Sequence, residues 1–159
     1  MNQCLDCDQF PLPRSEELLA EIGKGHIFST IDLKNAYLQI PVDEVSRKYL
    51  VINTHKGLFR FKRLPFGLAS SPAIFQRFMS SLLHDVDGVG VYLDDIIISG
   101  ESEEQHDFRL SKVLQILEER NIQINKKKSA VKVTSLEYLR YHISGEGVRP
   151  STKKVNAIL

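Results

Sequence analysis

The sequence predicts an α+β fold with a mostly antiparallel sheet and helices packed on one face. Proline and glycine divide the chain into short elements without a low-complexity linker or repeat. Paired apolar runs flank turn-forming residues as hairpins do, and two longer segments repeat apolar residues at helical spacing. The resulting order, βββ-α-ββ-α-β, belongs to sheets built from hairpins and covered by helices.

In chain order, Arg14 to Ile22 follows Pro11 and Pro13 and reads as a short amphipathic helix, with Leu18, Leu19 and Ile22 on one side and Gly23 and Gly25 as its stop. His26 to Asp32 reads as a strand and Tyr37 to Val42 as another. Tyr49 to Asn53 and Leu58 to Lys62 flank Thr54-His55-Lys56-Gly57 as a hairpin. Ser71-Pro72 opens a helix to about His84, because proline suits the first turn and Ile74, Phe75, Phe78, Leu82 and Leu83 recur at helical spacing. Gly88 to Leu93 and Ile96 to Ser99 form a second hairpin with Asp94 and Asp95 at its turn. Ser102-Glu103-Glu104-Gln105 resembles a capping box and heads a helix to about Glu119, whose buried stripe is expected at Phe108, Val113, Leu114 and Leu117. Strands at Ile122 to Ile124, Ala130 to Val133 and Glu137 to Ser144 complete the chain.

The 159 residues suit one domain, and 42% hydrophobic with 26% charged residues excludes a disordered or fibrous chain. No apolar run approaches the roughly 20 residues that span a bilayer, and the N-terminus lacks a secretory pattern. No membrane partner is expected. Net charge is only +1, but its distribution is uneven. Val45 to His84 holds seven bases and no acid, Phe78 to Phe108 eight acids and no Lys or Arg, and Arg120 to Lys154 nine bases and two acids. Such blocks suit either solvated faces or a metal site between nucleic-acid-binding surfaces. Cys4 and Cys7 form a lone C-x-x-C without a second half-site and read as free thiols.

Asp94 and Asp95 sit inside the apolar run Val89 to Ile98. Turn chemistry alone makes them an exposed β-turn. Buried carboxylates would instead need compensation, which a hard divalent cation with oxygen ligands supplies. Asp32, alone a cap or turn residue, would bring a third acid to the same sheet end if its strand lies beside that hairpin. Three carboxylates would suffice for two Mg²⁺ ions and an in-line phosphoryl or nucleotidyl transfer. No G-x-S-x-G, H-E-x-x-H or P-loop supports a hydrolase.

Three segments occur in the order and spacing of reverse transcriptases: Phe28-Ser-Thr-Ile-Asp-Leu-Lys-Asn-Ala-Tyr-Leu-Gln-Ile-Pro41, Leu64-Pro-Phe-Gly-Leu-Ala-Ser-Ser-Pro-Ala-Ile-Phe-Gln76 and Tyr92-Leu-Asp-Asp95. With Phe10-Pro-Leu-Pro13, Lys126-Lys-Lys128, Glu137-Tyr-Leu139 and Gly147-Val-Arg-Pro150, the chain resembles the gypsy class of LTR retrotransposon polyproteins over nearly its whole length. The resemblance implies a polymerase palm with partial fingers that extends a primer with deoxynucleoside triphosphates on an RNA or DNA template. Asp32, Asp94 and Asp95 match the catalytic acids, with Mg²⁺ or Mn²⁺ as cofactor. Leu33 and Lys34 would lie where backbone groups meet the incoming triphosphate. Tyr37 matches the steric gate against a ribose 2′-hydroxyl, and Phe66 would stack on a base or sugar. Read alone, Tyr37 is a half-buried strand aromatic and Phe66 a core residue. Arg60, Lys62 and Arg63 would follow template phosphates. Gly67, Gln76, Tyr92, Tyr138 and Leu139 complete the template and primer surface, with Gln76 facing the template.

Two features depart from the family pattern. Arg140 follows Tyr138-Leu139 where the family has glycine, at the turn of the hairpin that grips the primer. Residues 1–159 also match only a partial domain, so thumb, RNase H, integrase and protease regions are expected elsewhere in a polyprotein. The resemblance implies cytoplasmic virus-like particles or the nucleus as location. A second reading is an inactive, nucleic-acid-binding remnant that uses the two basic blocks.

Overall fold

The structure is a computed structural model that describes residues 10–151; Cys4 and Cys7 lie outside them. The elements are helix α1 (Ser15–Ile22), strand β1 (Ile27–Asp32), a 3-10 turn (Ala36–Gln39), helix α2 (Glu44–Arg47), strands β2 (Val51–Thr54) and β3 (Gly57–Arg60), and helix α3 (Ser71–Leu83). Strands β4 (Val89–Tyr92) and β5 (Asp95–Gly100), helix α4 (Glu103–Glu119) and strands β6 (Ala130–Val133), β7 (Ser135–Tyr138), β8 (Tyr141–Ser144) and β9 (Gly147–Pro150) follow.

A four-stranded antiparallel sheet of order β4-β5-β1-β6 forms the centre. Side chains alternate across it, so adjacent residues serve different cores. Ile31, Val91, Ile96 and Ile98 pack with Phe75, Met79 and Leu83 of α3 and Val113 and Leu117 of α4. Phe28 and Ile97 point the other way, toward Leu19 and Ile22 of α1 and Tyr138 and Ile143 of the three-stranded β7-β8-β9 sheet. The long helices thus share one face, while α1 and the small sheet close the other. Ile97 has no exposed surface, and Ile97→Ala would cost about 2–5 kcal/mol by opening a cavity there. Gly90 permits this closeness, because a Cβ would stand 3.0 Å from Ile97 and 3.4 Å from Leu18.

The β2–β3 hairpin pairs as expected from Val51↔Arg60 to Thr54↔Gly57. Several elements differ from the sequence expectation. Tyr37 to Val42 is not a strand: Asn35 is left-handed at φ 53°, and the 3-10 turn follows it. Helix α2 was not foreseen, although Asp43 caps it by accepting from the Ser46 amide at 2.9 Å. Ile122 to Ile124 keeps only an isolated bridge between Leu33 and Ile124. Glu137 to Ser144 is two strands, because Leu139 and Arg140 both have positive φ and reverse the chain. In α4, Ser102 caps the Gln105 amide as expected, but Phe108 is 70% exposed and Leu114 lies at the stripe's margin. His106, Val113 and Leu117 are the buried residues.

His106 is buried because its ring is fully partnered. The Lys132 hydrogen bond, foremost, and that of His106 hold the Asp107 carboxyl below its ordinary range. The ionised carboxylate lies 3.0 Å from Nδ1, and the Ser29 hydroxyl bonds to Nε2 at 2.8 Å. The Ser29 oxygen in turn accepts the Lys132 amide at 2.9 Å, tying β1, α4 and β6 together.

Candidate active site

The acids meet at one end of the central sheet. Asp32 ends β1 and Asp95 begins β5, and the two are direct cross-strand partners. Leu93 and Asp94 form the two-residue turn between β4 and β5, with Leu93 left-handed at φ 53°. The Leu33 amide donates to the Asp94 carbonyl at 3.1 Å, joining the chain after β1 to this turn.

Asp32 is held on its other side by residues 125–129. Its carbonyl accepts the Asn125 amide at 2.8 Å, its amide donates to the Ser129 hydroxyl at 3.1 Å, and that hydroxyl donates to the Asn125 carbonyl at 2.9 Å. These bonds keep the Lys126 to Lys128 turn beside the acids. Burial, then Asp94, then Asp32 push the Asp95 carboxyl above its ordinary range, and the Lys128 charge opposes them. Among the described residues, no three or more His, Cys, Asp or Glu side chains form a cluster that would hold a metal ion unaided. Asp32, Asp94 and Asp95 form an electrostatically coupled, open set of acids at this sheet end.

Tyr37 is half-buried between Phe66 and Phe75, with ring centroids 4.9 and 5.3 Å away. Burial and the nearby Asp94 charge raise its hydroxyl pKa. Phe66 is 59% exposed, which overturns its reading as core. Gln39 clamps this turn: its Nε2 donates to the Lys34 and Gln123 carbonyls at 2.6 and 3.0 Å, and its Oε1 accepts the Gln123 amide at 2.6 Å.

Other expected contacts are occupied within the protein. Leu33 is buried, and the Leu33 and Lys34 amides already donate to the Asp94 and Gln123 carbonyls, so neither N–H is directed to a triphosphate. Gln76 is fully buried and does not face a template: it bonds to Val91, Ser80 and Leu93. Tyr138 is 5% exposed, with its hydroxyl donating to the Asp95 carbonyl at 3.2 Å, so it braces the site instead of offering a surface. Burial, foremost, keeps that hydroxyl protonated. Tyr92 is partly buried against the same core.

Arg60, Lys62 and Arg63 are exposed on or just beyond the β2–β3 hairpin. Arg63 also donates to the Gln39 carbonyl at 2.8 Å. Gly67 is left-handed at φ 86°, and a Cβ there would meet no protein atom within 4 Å, so it is the backbone conformation that favours glycine. Leu139 is half-buried, with φ 49°. Lys128, Ser129, Asn125 and Gln39 were missed as site residues. Only the basic Lys126-Lys127-Lys128 run signalled part of this group.

Residues 1–143 match the family model described as "Reverse transcriptase (RNA-dependent DNA polymerase)". The chain belongs to the reverse transcriptase family. An uncharacterized Caenorhabditis elegans protein is 39% identical over 99% of this chain and 12% of its own length. The retrovirus-related Pol polyprotein from transposon gypsy of Drosophila melanogaster is 36% identical over 95% of this chain and 15% of its own length. The chain thus spans under a sixth of these relatives. The foamy viral protease-reverse transcriptase solved with an RNA/DNA hybrid has a TM-score of 0.88 and 28% identity, covering 99% of this chain and 21% of the viral one. A form solved with double-stranded DNA gives a TM-score of 0.90 at 28% identity, covering 99% and 28% of the two chains. The fold of this reverse transcriptase chain is a polymerase palm with partial fingers.

Proposed function

We propose that this chain extends a primer with deoxynucleotides on an RNA or DNA template. The carrying observation is the pairing of Asp32 with Asp95 beside Asp94, which concentrates carboxylates at an open sheet end. Their hard oxygen donors fit Mg²⁺, and Mn²⁺ is chemically similar. Mg²⁺ commonly takes one or two carboxylates together with substrate phosphates.

In this reading Asp32 and Asp94 hold two divalent ions and Asp95 adds negative potential beside them. Bound ions would lower the cost of developing charge as the primer 3′-hydroxyl oxygen displaces pyrophosphate from the incoming nucleotide's α-phosphorus. Tyr37, braced by Phe75, limits space at the sugar and selects deoxyribose. Phe66 offers an exposed ring for stacking beside it. Arg60 and Lys62 contact template phosphates, which gives binding without sequence preference. The foamy viral relative's complex with an RNA/DNA hybrid supports the choice of partner.

The test is primer extension on RNA with deoxynucleotides and Mg²⁺ or Mn²⁺, comparing wild type with Asp94→Asn/Asp95→Asn. Extension confined to wild type supports the proposal. A folded chain whose primer-template binding is salt-sensitive and unaffected by the double substitution, without extension, supports the binding remnant instead.

A further inference from the structure

We propose that Gln76 is a positioning residue that holds the acid-bearing turn, an inference that rests on the polymerase reading for its kinetic consequence. Gln76 lies on α3, has no exposed surface, and is separated from Leu93 by 17 positions. Its Oε1 accepts the Leu93 amide at 2.7 Å, while its Nε2 donates to the Val91 carbonyl at 2.9 Å and the Ser80 hydroxyl at 3.0 Å.

Only one orientation of the side-chain amide satisfies these neighbours. Leu93 supplies a donor and Val91 an acceptor, so a flip would oppose like groups at both positions. The arrangement also follows from sheet topology. Strand β4 is at the sheet edge, and Tyr92 pairs inward with Asp95, so the neighbouring Val91 and Leu93 groups point outward. Gln76 satisfies one carbonyl and one amide there, as the peptide group of another strand would. Leu93 is the residue held at φ 53°, a region disfavoured by a Cβ. A fixed acceptor for its amide stabilises that conformation and hence the direction in which Asp94 and Asp95 leave the turn.

Gln76→Met retains much of the volume but none of the three hydrogen bonds. In the full 159-residue chain, hydrogen exchange read by NMR should show loss of Leu93 amide protection. Primer extension should lose about 100-fold in kcat, with deoxynucleotide KM near wild type, as displaced reacting groups can produce. Gln76→Glu is the conservative comparison. Burial favours its neutral acid, whose carbonyl accepts from Leu93 and whose hydroxyl donates to Val91. At low pH its Leu93 protection and rate should approach wild type; on ionisation the oxygen facing the Val91 carbonyl can no longer donate and repels it, so the side chain is displaced and both should fall.

A cooperatively folded Gln76→Met chain with unchanged Leu93 protection or unchanged kcat overturns the inference. If that variant does not fold, pH-independent protection in Gln76→Glu overturns it. Wild-type chain with a protected Leu93 amide but no extension contradicts the polymerase reading alone. Exchange then decides the positioning role: protection lost in Gln76→Met supports it, and protection retained overturns it.

Discussion

Asp32 and Asp95 face each other directly across antiparallel strands, a position where two like charges repel. Burial, Asp94 and Asp32 raise the Asp95 pKa in the folded chain. The folded state therefore binds this proton more tightly than the unfolded state. Stability falls as pH rises from the unfolded carboxyl range through the raised folded pKa, and the deficit remains above it. Asp95→Asn is expected to raise Tm at pH 7, with a smaller gain in acid where Asp95 is already protonated. The change should be roughly 0.2–1 kcal/mol, about 1–4 °C for a chain of this size. Scanning calorimetry at both pH values checks it; equal gains would contradict the electrostatic cause.

Leu139 and Arg140 are both left-handed, as a type I′ hairpin turn requires. Glycine accepts that conformation more readily than arginine, so Arg140→Gly is expected to stabilise the chain by about 1–2 kcal/mol. The same substitution should tighten primer-template binding by steadying the turn. Unfolding and fluorescence-anisotropy titrations test the two effects separately.

Tyr37 packs on both Phe66 and Phe75. Removing its ring by Tyr37→Ala should admit a ribose 2′-hydroxyl. Relief of an overpacking penalty of about 1–3 kcal/mol corresponds to roughly 5- to 150-fold less discrimination against ribonucleotides. Competing incorporation of matched deoxy- and ribonucleotides provides the measurement, and unchanged discrimination would remove Tyr37 from the gate.

The Ser29 hydroxyl bonds to Nε2 of the fully buried His106. Ser29→Ala leaves Nε2 without that partner, at an expected cost of about 1–3 kcal/mol. A reduced denaturation midpoint with an unchanged m-value is the expected result.

The sequence made the β4–β5 hairpin legible because its apolar runs enclose Asp94 and Asp95, while α3 and α4 followed from apolar periodicity and a cap. The residue-level site was only partly legible. Asp32 depended on family spacing until the β1–β5 register placed it opposite Asp95. Gln76 and Tyr138 carried motif signals but not their inward directions, which arise from packing against β4 and β5. Phe108 misled because hydrophobicity does not specify which helix face is covered. Tyr37 to Val42 misled because left-handed Asn35 turns an apparently extended segment into a 3-10 turn. Lys128 was separated from Asp32 by most of the chain, so its place beside the acids emerged only from the fold.

The most direct test is single-turnover extension on an RNA template by wild type and Asp32→Asn, using folded protein saturated with primer-template. Asp32 comes from β1, whereas Asp94 and Asp95 belong to the β4–β5 hairpin, so the measurement asks whether the two segments form one chemical centre. Wild type is expected to extend the primer, and Asp32→Asn to bind equally but lose extension. Equal extension by both proteins would contradict a shared catalytic role for these acids.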